Sequence, residues 1–102
     1  MKKTVINGVN YYPHSNGGGL VAETATVSKT AYIGPDAKVH DQAKISGNAS
    51  VHGTAEISGN VAVFDDAEVC GKAKVSGNAM VYDNAILTDK AKIYGYAEVW
   101  GK

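Results

Sequence analysis

In this 102-residue chain the residues that most invite a reading as base, metal ligand or nucleophile are His14, His40, His52 and the single Cys70. Imidazole titrates near neutrality and serves as base, acid or metal ligand. A thiol becomes a nucleophile only when a neighbour activates it and a third group orients the pair. The step from His40 to His52 is twice six positions, and the step from His52 to Cys70 is three times six. Four lysines form a second set, Lys72 with Lys74 and Lys90 with Lys92, two pairs separated by that same triple step. Stacked on one face, they would attract an anion or an acidic partner; the plainer reading is a solvated face that discourages edge pairing. Whether any of these residues meet depends on the elements that carry them.

The totals bound those elements. The length suits one domain. With 8% aromatic residues and 12 glycines, a core built from large side chains is not expected. Ten basic residues balance ten acidic ones, which argues against a general electrostatic hold on nucleic acid or an anionic membrane. One cysteine cannot make an internal disulfide, so nothing points to an oxidising compartment. Residues 1–3 are Met-Lys-Lys, but Asn7, Gly8 and Asn10 interrupt the apolar run behind them, so no leader is expected. No stretch approaches the roughly 18 apolar residues of a membrane span. A cytoplasmic protein is the expectation.

Repeats dominate the rest. Every sixth residue from Val27 through Val51 and Val75 to Val99 is aliphatic, and 12 of these 13 are β-branched. Two residues before each stands Ala, with Val61 the one exception. Two residues after, from Asp41 onward, only Gly or Asp occurs. A period of six fits neither a helix nor a long strand. It fits a short strand followed by a corner. The β-branched side chain points inward and stacks on its counterpart one coil away, at about 4.8 Å. Ala fills the narrow space beside the corner, and Gly, Asp and the following Asn turn the chain because they tolerate positive φ.

The unit aliphatic-x-Gly/Asp-x-Ala-x, in phrases such as Gly47-Asn48-Ala49-Ser50-Val51 and Gly77-Asn78-Ala79-Met80-Val81, resembles the hexapeptide repeat of left-handed β-helix proteins. It is closer still to the YdcK-type β-solenoid repeats of bacterial and phage proteins. Asn16-Gly17-Gly18-Gly19-Leu20-Val21-Ala22 and Thr30-Ala31-Tyr32-Ile33-Gly34-Pro35 also look like the opening of those solenoids. The resemblance covers residues 21–102 and implies left-handed winding, where general chirality rules favour right-handed crossovers. The expected fold is therefore all-β: a single-stranded parallel β-helix over 21–102, with residues 1–20 as an N-terminal hairpin and loop cap. Thr4-Val5-Ile6, Asn7-Gly8 and Val9-Asn10-Tyr11-Tyr12 carry the type I′ hairpin signal.

Three hexads per coil make an 18-residue triangular prism; four make a 24-residue squarer one. Residues 59–76 and 77–94 share eight identities in 18, and Phe64 falls on Tyr82. Residues 41–64 and 65–88 share eight in 24, mostly generic repeat letters, although Asp41, Asp65 and Asp89 superpose in that register. The 18-residue coil is adopted. It places Phe64, Met80, Tyr82 and Trp100 on one outer face, with Ala62 and Glu98. An exposed apolar strip of this kind marks an interface, here first of all a contact between copies, as dimer or trimer. The last rung, Ala97–Lys102, stops in phase with the repeat, and an open coil end is a second surface for self-association. Solenoids of the resembled type commonly associate side by side.

The resemblance also brings in an enzyme. Hexapeptide-repeat acyltransferases use a histidine base near acyl-coenzyme A bound between subunits, and carbonic-anhydrase-type relatives converge three histidines on a metal. His40 and His52, two hexads apart, fall on different faces of a triangular coil; His52 and Cys70 fall one coil apart on the same face. No trio spacing occurs, and the 13 hexads carry no inserted loop. The expectation is a non-enzymatic, self-associating structural or protein-binding module without cofactor or metal. Its spread among phage proteins suggests a factor that binds and inhibits a host defence protein. The rival is a degenerate acyltransferase.

Overall fold

The computed structural model describes residues 3–101, and every regular element in it is a strand. No helix is long and apolar enough to cross a membrane. Strand β1 (Thr4–Ile6) and strand β2 (Val9–Pro13) form an antiparallel hairpin. Its two-residue turn has Asn7 at φ 52° and Gly8 at φ 79°, the double positive φ that a type I′ turn requires. Strand β3 (Leu20–Ala22) pairs antiparallel with β2 and opens the solenoid.

From Thr26 onward a two-residue strand recurs every six residues, and each one up to Met80–Val81 pairs in parallel with the strand three rungs further on. Three sheets result, the walls of a prism of about four coils. The first, the capped face, runs β1-β2-β3 and then β6 (Lys38–Val39), β9 (Glu56–Ile57), β12 (Lys74–Val75) and β15 (Lys92–Ile93). The second, the aromatic face, stacks β4 (Thr26–Val27), β7 (Lys44–Ile45), β10 (Ala62–Val63), β13 (Met80–Val81) and β16 (Glu98–Val99). The third, the thiol face, stacks β5 (Tyr32–Ile33), β8 (Ser50–Val51), β11 (Glu68–Val69) and β14 (Ile86–Leu87). The register settles the coil at three hexads: Val63 lies beside Ile45 and Val81, and Val69 beside Val51 and Leu87. The four-hexad superposition of Asp41, Asp65 and Asp89 does not occur.

The interior is the aliphatic column that the period predicts. Val39, Val51, Ile57, Val63, Val69, Val75 and Val81 are fully buried, with the flanking alanines beside them. Among the described residues no polar or charged side chain is buried. Backbone hydrogen bonds run along the prism axis: the Ser50 and His52 amides donate to the Ala67 and Val69 carbonyls at 2.9 Å.

The corners show why Gly and Asp alternate there. Asp41, Asp65, Asp83 and Asp89 have φ between 57° and 61°, and the corner glycines from Gly47 to Gly95 have φ between 66° and 74°. The Asp41 carboxylate accepts the Gly59 amide of the next coil at 2.9 Å, and the Asp65 carboxylate accepts the Asp83 amide at 3.2 Å. A glycine instead lets the coils close up: a Cβ on Gly53 would lie 2.8 Å from the Gly71 amide nitrogen. Threonine in the second corner position adds a hydroxyl bond upward, from Thr24 to the Asp41 carbonyl and from Thr54 to the Gly71 carbonyl.

The N-terminal segment closes off the first-coil end of two of the three walls. β2 and β3 extend the capped face, while the loop after β2 lies along the thiol face, where the Asn16 carbonyl accepts the Ile33 amide and the Gly19 amide donates to the Ile33 carbonyl, both at 3.0 Å. Gly17 and Gly19 permit this approach, since a Cβ on either would strike the backbone of Ile33 or Gly34 at 2.1–2.3 Å.

Candidate interaction surfaces

Outward positions on the aromatic face flank each inward valine, so side chains one coil apart lie on top of one another. Phe64 and Tyr82 stack with ring centroids 5.1 Å apart and planes 3° from parallel. Met80 and Trp100 continue the strip and are exposed, Trp100 at 63%. The structure therefore brings together all four residues assigned to an interface. The two inner rings use their faces on each other and offer their edges sideways. Glu98 reaches the strip as well, accepting the Tyr82 hydroxyl at 3.3 Å. The phenol of Tyr82 is raised above its ordinary value by lost solvation, then by the charge and hydrogen bond of Glu98 and the charge of Asp83.

The lysines divide between two positions. Lys74 and Lys92 are register partners on the capped face, and Lys74 also neighbours Glu56. Lys72 and Lys90 lie at the corner beside Gly71 and Asp89 and line a shallow surface depression with them. This is a corner-and-wall arrangement rather than four lysines on one flat face. On the opposite side of the thiol face, a groove is lined by Gly47, Asn48, Asp65, Asp66, Asp83 and Trp100, among others.

The histidines are dispersed. His14 Nε2 lies 3.0 Å from the Ala31 carbonyl and ties the loop to the first coil. His40 stands on the capped face, with Nδ1 2.6 Å from the Tyr11 hydroxyl and Nε2 3.8 Å from Glu56 Oε1. The rings of Tyr11 and His40 meet edge to face at 5.5 Å. Tyr11 is 5% exposed; burial raises its phenol above the ordinary range, reinforced by the charges of Asp41 and Glu56. This clamp between hairpin and coil was not evident from the repeat, because Tyr11 lies outside it. The alternation in Val9-Asn10-Tyr11-Tyr12, which points Tyr11 to one side of β2, is the signal that could have suggested it.

His52 stands on the thiol face, edge to face with Tyr32 at 6.4 Å. Cys70 stands one coil above it and is half-buried. Its thiol is pushed up by burial, and further by the charges of Glu68 and Asp89, the opposite of nucleophile activation. Among the described residues no group of three His, Cys, Asp or Glu could hold a metal ion.

No protein-family model, no curated protein and no solved structure matches the chain.

Proposed function

We propose that this chain is a non-enzymatic, self-associating β-solenoid of the hexapeptide-repeat, YdcK-like kind, serving as a structural or protein-binding module. The observation that carries the reading is the apolar strip of Phe64, Met80, Tyr82 and Trp100 on one wall of a rigid prism. Aromatic and methionine side chains are enriched where proteins meet, and a stack of short rungs holds them in fixed register. A copy of the same strip is the first partner to test. In the more specific version of this reading, a cytoplasmic phage-encoded factor offers the strip to a host defence protein.

The acyltransferase alternative has less behind it. Of the two histidines that would serve as base, His40 is engaged by Tyr11 and Glu56 and His52 packs against Tyr32, while burial pushes the Cys70 thiol up. That alternative predicts thermal stabilisation by acetyl-coenzyme A; an unchanged melting temperature removes it. For the leading reading, Tyr82→Glu and Trp100→Glu place a carboxylate in the strip and are expected to lower the solution mass by light scattering at high salt. An unchanged mass at equal concentration contradicts it.

A further inference from the structure

The outer charges of the prism are sorted by edge. The edge between the aromatic and thiol faces carries Lys29 in the first coil, then Asp65, Asp66 and Asp83 in the third and fourth. The edge on the other side of the thiol face carries Asp36 in the first coil, then Lys72 and Lys90 in the third and fourth, with Asp89 beside Lys90. All of these side chains are exposed. In the second coil both edges are neutral, with Gly47 and Asn48 on one and Gly53 and Thr54 on the other. The two edges thus differ in sign in the first and third coils and invert between them, while in the fourth coil Asp83 on one edge stands level with Lys90 on the other, whose charge Asp89 beside it offsets. Within the chain these charges are not matched: among the described residues the single ion pair is His40–Glu56. Between the edges the wall is low, with Gly34 buried and Ser50, His52 and Cys70 half-buried. Tyr32 and Ile86 stand out from it, at 37% and 60% exposure.

We propose that a second copy of this chain docks on the thiol face with its long axis parallel to the first, about a two-fold axis running along the prism. Such an axis exchanges the two edges while keeping height. Lys29 then meets Asp36 of the second copy, Asp66 meets Lys72, and Asp83 meets Lys90. Each contact occurs twice, as an isologous interface requires. Glu68 lies on the acid-edge half of the wall, opposite the half that carries Lys72, and Ile86 is covered. The antiparallel arrangement sets Lys29 against Asp83 and Asp36 against Lys90, but leaves Asp66 and Lys72 facing the neutral Asn48 and Thr54. The parallel arrangement uses all three charged coils. Complementary rims fix register and orientation in this way even where each ion pair is weak. The body measures 36 × 24 × 21 Å, so one wall is comparable to the roughly 800 Å² per partner of a standard interface. This contact is separate from the aromatic strip and leaves it facing outward.

The test uses the full chain carrying Tyr82→Glu, so that mass no longer reports on the aromatic strip, in reducing buffer at on the order of 100 µM, a concentration that detects weak pairing. Expected is a dimer by sedimentation equilibrium at low salt, with association weakened about tenfold or more as the Debye length falls from roughly 30 to 3 Å. Asp66→Lys and Lys72→Glu, made separately, are each expected to be monomeric. Their equimolar mixture is expected to recover dimer mass, because the two reversed edges then face each other. Circular dichroism confirms that each variant keeps its fold. A Tyr82→Glu protein that is monomeric at low salt overturns the proposal, as does a dimer indifferent to both reversals or a mixture that stays monomeric. The effect of Tyr82→Glu itself at high salt judges the aromatic strip and leaves this contact untouched.

Discussion

The middle coils and the last coil have the same sequence pattern but different surroundings. Val63, Val69, Val75 and Val81 are fully buried, whereas Ile93 and Val99 are only partly covered. At the corners, Gly53, Gly59, Gly71 and Gly77 have the next coil's backbone within 2.6–2.8 Å of where a Cβ would stand; Gly95 and Gly101 have open space. The lesson is that a rung has no core of its own. Its inward side chain is buried by the rung above and the rung below, so stability in such a stack is a nearest-neighbour property.

That contrast can be broken or sharpened by paired substitutions. The largest difference is expected between Ile57→Ala and Ile93→Ala. Ile57 is enclosed on all sides, and its truncation should cost about 2–5 kcal/mol; the same change at Ile93 should cost less than half as much in denaturant titration. Equal costs would mean that burial is not set by neighbouring coils. Next come the corners. Gly53→Ala forces a Cβ against the Gly71 backbone and combines that with the penalty of roughly 1–2 kcal/mol for a side chain at positive φ. Gly95→Ala, with φ 67° and nothing within 4 Å, should show the φ penalty alone. Gly53→Asp should be milder than Gly53→Ala, since a carboxylate there could accept the Gly71 amide as Asp41 accepts that of Gly59.

The smallest expected effect separates hairpin from coil. Tyr11→Phe removes the hydroxyl bond to His40 and should cost about 1 kcal/mol, read as faster hydrogen exchange in β1 and β2 with little change in β8 to β13. The same contact has a pH dependence of fixed sign. The folded phenol is raised above the ordinary value of 10.0, so the unfolded chain loses its proton first. The contribution is complete below about pH 10 and is lost as pH rises through the folded-state value. Hairpin exchange in the native protein should accelerate above pH 10, beyond the base-catalysed trend, and Tyr11→Phe should abolish that excess.

The columns of the repeat were legible because each does one physical job: valine or isoleucine fills the hollow, alanine fits the converging walls, and Gly or Asp takes positive φ. From those columns the surface strip of Phe64, Met80, Tyr82 and Trp100 followed directly. The Tyr11–His40–Glu56 clamp did not, because one partner comes from outside the repeat and periodicity says nothing about where the hairpin folds back. The division of the lysines between corner and wall was lost for a related reason: residues one and three places after the corner glycine look alike in a period of six, although one turns the edge and the other lies on the wall. The role of Asp was also hidden. As a letter it is interchangeable with Gly, but Asp41 and Asp65 add a carboxylate acceptor to an amide of the next coil. The sense of winding belongs to the resemblance; a spacing of six residues is the same for either hand.

Everything rests on three hexads closing each coil, and engineered cysteines measure that most directly. In a Cys70→Ser background, Ser50→Cys with Glu68→Cys places two outward thiols on register partners in adjacent coils, near the Cα separations a disulfide accepts. Ser50→Cys with Lys74→Cys, four hexads apart, places them on different walls. The account predicts rapid, intramolecular bridging of the first pair under mild oxidation and none of the second. Bridging of the 50–74 pair in place of the 50–68 pair would contradict it.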